Sequence, residues 1–186
     1  MSNHCIVILG LSGSGKSTMA KILEQQGRLQ GVFVRELHLI KKIKRFWESY
    51  YGWEYGDFDK AEVKLKKLSP TATCTVGDFQ VLLFELFKEV DPQVSLYGFR
   101  DDLDSLYNSP ITVITGVRSQ HEAKAILEEC AEVGATLKVI LVTGRGNLLP
   151  SDKALTEVYS VFGNVEIYPN SGSIKDLTEY CATMIK

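Results

Sequence analysis

The chain carries no excess of either charge. Its 21 lysines and arginines stand against 23 aspartates and glutamates, a formal net charge of −2 over 186 residues. That balance removes any overall electrostatic reason for non-specific binding to nucleic acid or to an anionic membrane, and leaves only a local basic groove open. Paired cysteines are missing too. Cys5, Cys74, Cys130 and Cys181 lie too far apart in sequence for metal-ligand spacing and form no CxxC, so buried, reduced thiols are expected. His4, His38 and His121 are equally scattered and suggest no metal site. No leader-like segment is visible, because the apolar run at 5–9 gives way at once to a polar glycine loop. The longest strongly apolar stretch, Val81–Phe87, is interrupted by Glu85 and is far too short to span a bilayer. Internal repeats and low-complexity tracts are absent from the sequence. What these absences leave is one soluble domain, expected in the cytoplasm, with neither a membrane nor a stable nucleic-acid partner.

Apolar periodicity supplies the order of elements. Cys5–Leu9 is a continuous β-branched run suited to a strand buried on both faces. A helix is predicted from Ser17 to Gln26, with Gly27 as its stop. Further strands are predicted at Gly31–Arg35, Ile111–Thr115, Leu137–Thr143 and Val165–Tyr168. Helices are predicted at Gln120–Val133 and at Ile174–Met184, the latter opened by Ser173 and Asp176 at capping-box spacing. This alternation calls for a five-stranded parallel sheet with helices on both faces, an α/β three-layer sandwich. Between strands two and three lie helical patterns at Leu37–Tyr51, Val76–Val90 (with Thr75 and Asp78 as a cap pair) and Ser95–Leu106. Residues 37–108 therefore read as a helical insertion on one domain spanning 1–186.

The chemistry is concentrated in Gly10-Leu-Ser12-Gly13-Ser14-Gly15-Lys16-Ser17-Thr18, which satisfies GxxxxGK[ST] at every defined position. Glycines let successive backbone N–H groups turn inward around a polyphosphate. Lys16 can reach the β- and γ-phosphates, and the Ser17 hydroxyl can ligate Mg²⁺. The helix that follows adds the positive end of its dipole. A buried strand before the loop and an amphipathic helix after it are the setting this mechanism needs, so a P-loop that binds ATP is predicted. No NKxD guanine signature accompanies it, and the chain is short for a large ATPase core.

Beyond the loop, several segments recur in a familiar order. They are Leu39-Ile-Lys-Lys-Ile-Lys-Arg-Phe46, Ser69-Pro-Thr71, Glu85-Leu-Phe-Lys-Glu-Val-Asp91-Pro92, Val113-Ile-Thr-Gly-Val-Arg118-Ser-Gln-His-Glu122-Ala123, Gly134–Gly144 and Tyr168-Pro-Asn170-Ser-Gly172-Ser173. Together they resemble the bacteriophage deoxynucleoside monophosphate kinases, relatives of the dephospho-CoA and nucleoside monophosphate kinases. The resemblance implies transfer of the ATP γ-phosphoryl to a deoxynucleoside monophosphate with Mg²⁺, an acceptor site in the helical insertion, and a short lid at 144–152. It also places Asn170, Gly172 and Ser173 beside the adenine. A homodimer is compatible with it. One departure stands out: this chain has Gly116 where the family has an aspartate two residues before the arginine.

Each remaining candidate has a plainer reading beside it. Glu36, placed just beyond strand two, is the candidate substitute for the missing carboxylate; the alternative is a solvated side chain. Arg118 emerges at the carboxyl edge of the sheet, where a guanidinium can grip an acceptor phosphate, with Glu122 orienting it; an i,i+4 ion pair between the two is the plainer reading. Arg145 is the lid cation that would close over the γ-phosphate, or a solvated arginine. Arg35, His38 and Arg100 are weaker acceptor-site candidates, Arg100 standing next to Asp101 and Asp102. Among the aromatics, Phe46, Trp47 and Tyr50 are expected in a core, and Trp53 and Tyr55 against a base. The rival functions are a P-loop kinase for another acceptor, such as a dephospho-CoA-like metabolite or a modified base in DNA, and a nucleotide-binding regulatory protein without catalysis.

Overall fold

The computed structural model describes residues 3–101, 108–144 and 155–185. Five strands are present: β1 (His4–Gly10), β2 (Val34–His38), β3 (Ile111–Thr115), β4 (Thr136–Thr143) and β5 (Glu166–Pro169). They form one sheet in the order β2-β3-β1-β4-β5, with every pairing parallel. Among the described residues the helices are α1 (Lys16–Leu29), α2 (Lys41–Tyr50), α3 (Ala61–Lys64), α4 (Val76–Val90), α5 (Val94–Asp101), α6 (Gln120–Glu132), α7 (Leu155–Phe162) and α8 (Ile174–Thr183), with a 3₁₀ turn at Asp57–Asp59.

The chain divides into two compact units, Ile40–Gly98 and the sheet unit that holds the remainder. In the sheet unit, β1 and β3 are buried at almost every position on both faces, which only a sheet covered on both sides allows. Ile6, Ile8, Val34, Ile111, Val113, Ile140 and Val142 pack with Met19 and Leu23 of α1 and Leu177 and Cys181 of α8 in one core. On the other face Cys5, Val7 and Leu9 are buried, and the Cys5 thiol meets Cys130 of α6. Helix α6 packs in turn against α7. Residues such as Ile8, Leu23 and Ile140, exposed at 1% or less, each contribute ~1.5–3 kcal/mol by burial. This is the three-layer architecture expected from the alternation of strands and helices.

The boundaries around β2 differ from those predicted, for one physical reason. From sequence, Gly27 ends the first helix and the second strand runs from Gly31 to Arg35. In the structure α1 continues to Leu29, and β2 starts three residues later, at Val34. Gly27 is a contact glycine: a Cβ there would stand 2.3 Å from Val34 Cγ2. The turn falls instead at Gly31, whose φ is +69°. Consequently Glu36 lies inside β2 and not beyond it, Leu37 and His38 are strand residues, and the second helix starts at Lys41. Helix α7 is missing from the elements predicted, although Leu155, Val158, Tyr159 and Phe162 recur at helical spacing.

The Ile40–Gly98 unit builds its own small core from Phe58, Val63, Leu68 and Val76, against which Trp47, Tyr51, Trp53 and Phe79 pack. A buried carboxylate braces it. Glu48, 2% exposed, accepts from the backbone N–H of Gly56 at 3.1 Å and of Phe58 at 2.8 Å, which offsets the cost of burying the charge. Thr75 and Asp78 form the capping box of α4.

Candidate functional site

Parallel strands bring their carboxyl ends to one edge, and the segments with chemistry gather there. Gly10 ends β1, His38 ends β2, Thr115 ends β3 and Thr143 ends β4. The phosphate loop runs from the end of β1 into α1. Gly13 is exposed at its tip, Ser12 is half-buried, and Ser17 and Thr18 are exposed on the first turn of α1. Gly15 caps that helix at φ +105° with no side-chain cap bond, and the first turn holds no acidic residue. By contrast α4, α6 and α8 each begin with a complete capping box. Unlike those three helices, α1 starts without a side-chain cap, at the positive end of its dipole. The Lys16 ammonium spans the loop, donating to the carbonyls of Gly10 at 2.7 Å and Leu11 at 2.6 Å. Ser14 is fully buried; its N–H closes a turn onto the Leu11 carbonyl.

Asn170, at the end of β5, touches this loop directly. Its side-chain amide donates to the Ser14 carbonyl at 2.7 Å, and its own N–H donates to the Thr143 carbonyl at 2.8 Å. A Cβ on Gly15 would lie 2.4 Å from the Asn170 amide nitrogen, so only glycine leaves the amide room. Gly172 and Ser173 serve the next helix. Ser173 forms the α8 capping box with Asp176, and a Cβ on Gly172 would meet the Asp176 carboxylate at 2.6 Å.

The end of β3 is built differently. Register pairs Glu36 with Val113 and His38 with Thr115. Since Val113 belongs to the core shared with α1 and side chains alternate along a strand, Glu36, His38 and Thr115 face the α1 side. The Thr115 hydroxyl donates to the Glu36 carboxylate at 2.9 Å, which holds a half-buried acid on the phosphate-loop side of the sheet. Gly116 follows at φ +86°, and a Cβ there would stand 2.8 Å from Cε1 and 3.0 Å from Nδ1 of the His38 ring. An aspartate at this position would need both a strained backbone and a displaced imidazole. The space a side chain at Gly116 would take is thus held by an aromatic ring from the neighbouring strand.

Arg118 comes two residues later and is half-buried. Burial lowers its guanidinium pKa, and the charge of Glu122 raises it; it stays protonated. Glu122 is fully buried, and its carboxylate accepts from the backbone N–H groups of Arg118 at 2.5 Å and Ser119 at 2.9 Å. The capping box of Ser119 and Glu122, unread from the sequence although S-x-x-E spells it, accounts for the glutamate. Arg35 points to the opposite face of β2 from Glu36 and His38, so these three do not converge. The side chain of Arg100 and all of Arg145, with the expected lid, lie outside the described residues.

In the Ile40–Gly98 unit, a shallow apolar cleft with a volume of only about 20 Å³ lies among Ile43, Trp47, Leu83, Phe84 and Phe87, with Lys44 and Gln80 at its wall. Phe46 and Tyr50 are 62% and 69% exposed, against the expectation of a core. On α2 Trp47 and the buried Glu48 face inward, and Phe46 and Tyr50 lie on the outer face. Trp53 packs on the small core and donates to the Leu68 carbonyl at 3.3 Å. Tyr55 is exposed, 4.1 Å beneath the Arg45 guanidinium. Among the described residues, no group of His, Cys, Asp and Glu could hold a metal by itself, and no helix is long and apolar enough to cross a membrane.

No protein-family model and no curated protein matches the chain. Solved structures do. Kti12 of Chaetomium thermophilum, in complex with ADP-AlF3, is 12% identical over 97% of this chain and 96% of its own, with a TM-score of 0.54. A gluconokinase from Sinorhizobium meliloti 1021 is 10% identical over 98% and 91%, with a TM-score of 0.46. The chain has an α/β P-loop fold.

Proposed function

We propose that the protein binds ATP in the loop at 10–18 and transfers its γ-phosphoryl group to a deoxynucleoside monophosphate. The observation that carries the reading is the amino end of α1. A left-handed glycine, a helix start with no side-chain cap and the Lys16 ammonium meet there, while α4, α6 and α8 are closed by their own side chains. The ADP-AlF3 bound by Kti12 is a nucleotide held on the same fold, which supports ATP as the ligand. The acceptor rests on the resemblance in the segments around 39–46, 85–92 and 113–123.

The transfer breaks the bond between the γ-phosphorus and its bridging oxygen and forms one to an acceptor phosphate oxygen. An ionised acceptor phosphate has no proton to lose, so the site needs positioning and charge neutralisation more than a base. Lys16 would neutralise the β- and γ-oxygens, and Arg118 would grip the acceptor phosphate. Arg145 and Arg100 are candidates for the remaining cationic contacts, with Arg35 and His38 as lesser acceptor contacts. The donors present suit Mg²⁺: the exposed Ser17 hydroxyl and the Glu36 carboxylate are hard oxygens, and this ion takes the rest of its shell from phosphates and water. When bound, Mg²⁺ would supply further neutralisation of the phosphate charge. Glu36 would fill the place of the family's aspartate, oriented by Thr115.

A second reading keeps the nucleotide and drops the transfer, and the His38 ring over Gly116 favours it. ADP production from Mg-ATP, measured with each of the four deoxynucleoside monophosphates beside a control without acceptor, separates the two. Acceptor-dependent turnover establishes the kinase and names its base. Nucleotide binding with no stimulation by any of the four would leave the regulatory reading, or a kinase for another acceptor such as a dephospho-CoA-like metabolite or a base in DNA.

A further inference from the structure

We infer that Asn170 is a positioning residue of the phosphate loop, holding the Ser14–Gly15 peptide so that the Gly15 N–H faces the polyphosphate. The inference rests on the nucleotide-binding reading above. It assigns Asn170 to the phosphates and not to the adenine.

The bond from the Asn170 amide to the Ser14 carbonyl is buried and joins residues 156 positions apart. The residue is anchored at its other end by the 2.8 Å bond from its N–H to Thr143 at the end of β4. It is therefore a strut between β4, β5 and the loop. Its effect on the loop follows from the geometry of one peptide group. The described chain has no cis peptide, and in a planar trans peptide the C=O of one residue and the N–H of the next point in opposite directions. Fixing the Ser14 carbonyl toward Asn170 therefore turns the Gly15 N–H away from it, into the loop. Gly15 completes the arrangement, because the amide nitrogen lies 2.4 Å from where its Cβ would be.

The chemistry of the side chain is specific as well. A residue that reads adenine presents its amide to the ligand, whereas Asn170 is 8% exposed and spends an N–H on a backbone carbonyl. Leucine would fill the space and leave the buried Ser14 carbonyl unsatisfied. Aspartate would set a negative oxygen against that carbonyl and beside the phosphates.

Calorimetric titration of wild type, Asn170→Ala and Asn170→Asp with ADP and, separately, with inorganic tripolyphosphate tests the role. Each is run well below the melting temperature of the ligand-free protein. A strut predicts that Asn170→Ala weakens both ligands by the same factor, about 3- to 10-fold. Asn170→Asp, which preserves the packing and carries the test should the alanine variant fold poorly, should weaken both further. Loss confined to ADP would place Asn170 at the base and overturn the assignment. Unchanged affinity for both ligands, with only a lowered melting temperature, would reduce it to a structural staple and overturn it equally. Failure of the wild type to bind either ligand would remove the nucleotide reading itself, a result distinguishable from the other two.

Discussion

The turns after β1 and after β3 sit at the same edge of the same sheet, and each is built around a left-handed glycine, yet they solve opposite problems. At Gly15 the missing Cβ makes room for Asn170, and the helix that starts there has no side-chain cap. At Gly116 the missing Cβ makes room for the His38 ring, and the backbone that follows is consumed by the fold itself, with the Arg118 and Ser119 N–H groups given to the buried Glu122. The first turn carries the whole GxxxxGK[ST] pattern at 10–18. The second carries Arg118 and sets the His38 ring where a side chain on Gly116 would stand, with the Glu36 carboxylate on the neighbouring strand held by Thr115. A binding site made of backbone depends on glycine and on struts beneath it. A catalytic site made of side chains can be rearranged one residue at a time.

Four experiments sharpen or break this contrast. The largest effect is expected at the first turn: Lys16→Ala should lower acceptor-dependent turnover by at least about 10²-fold, with circular dichroism unchanged because the side chain lies on the loop. Next comes the acid on the neighbouring strand. Glu36→Gln should reduce kcat about 10- to 100-fold with little change in KM for ATP if the carboxylate acts in the transition state, and wild-type kcat in that variant would return Glu36 to an ordinary strand residue. At the second turn, Gly116→Asp should cost about 1–3 kcal/mol from backbone strain and the clash with His38, read as a drop of about 2–4 °C in Tm per kcal/mol. Adding His38→Ala should restore part of that loss, and a double-mutant cycle with no coupling would show that the ring is not what excludes the side chain. The smallest effect belongs to Ser119→Ala, which removes the hydroxyl of the α6 capping box and should cost about 1 kcal/mol in chemical denaturation without altering nucleotide affinity.

Much of the first turn was legible in the sequence, because a P-loop announces itself through glycine and lysine at fixed spacing between an apolar strand and an amphipathic helix. The sheet was legible for a related reason: strands buried on both faces read as unbroken apolar runs, as β1 and β3 do. What could not be read was tertiary. Gly27 looks like a helix stop and is a contact with Val34, which displaced β2 and with it the setting of Glu36 and His38. The imidazole over Gly116 comes from register between β2 and β3, and the amide under Gly15 from a residue 155 positions on in the chain; neither pairing leaves a local pattern. Phe46 and Tyr50 failed for a different reason, since a short helix with aromatics on two faces does not say which one is buried. Glu122 was within reach, because Ser119 three residues ahead spells a cap, and the nearby arginine drew the assignment away from it.

The central claim is that the uncapped start of α1 is a polyphosphate site, and titration of the wild-type protein with ATP in a calorimeter, with and without Mg²⁺, tests it most directly. The account predicts saturable binding at a single site, lost in Lys16→Ala and competed by inorganic tripolyphosphate. Absence of heat or of competition up to millimolar ATP, in protein shown to be folded, would contradict it.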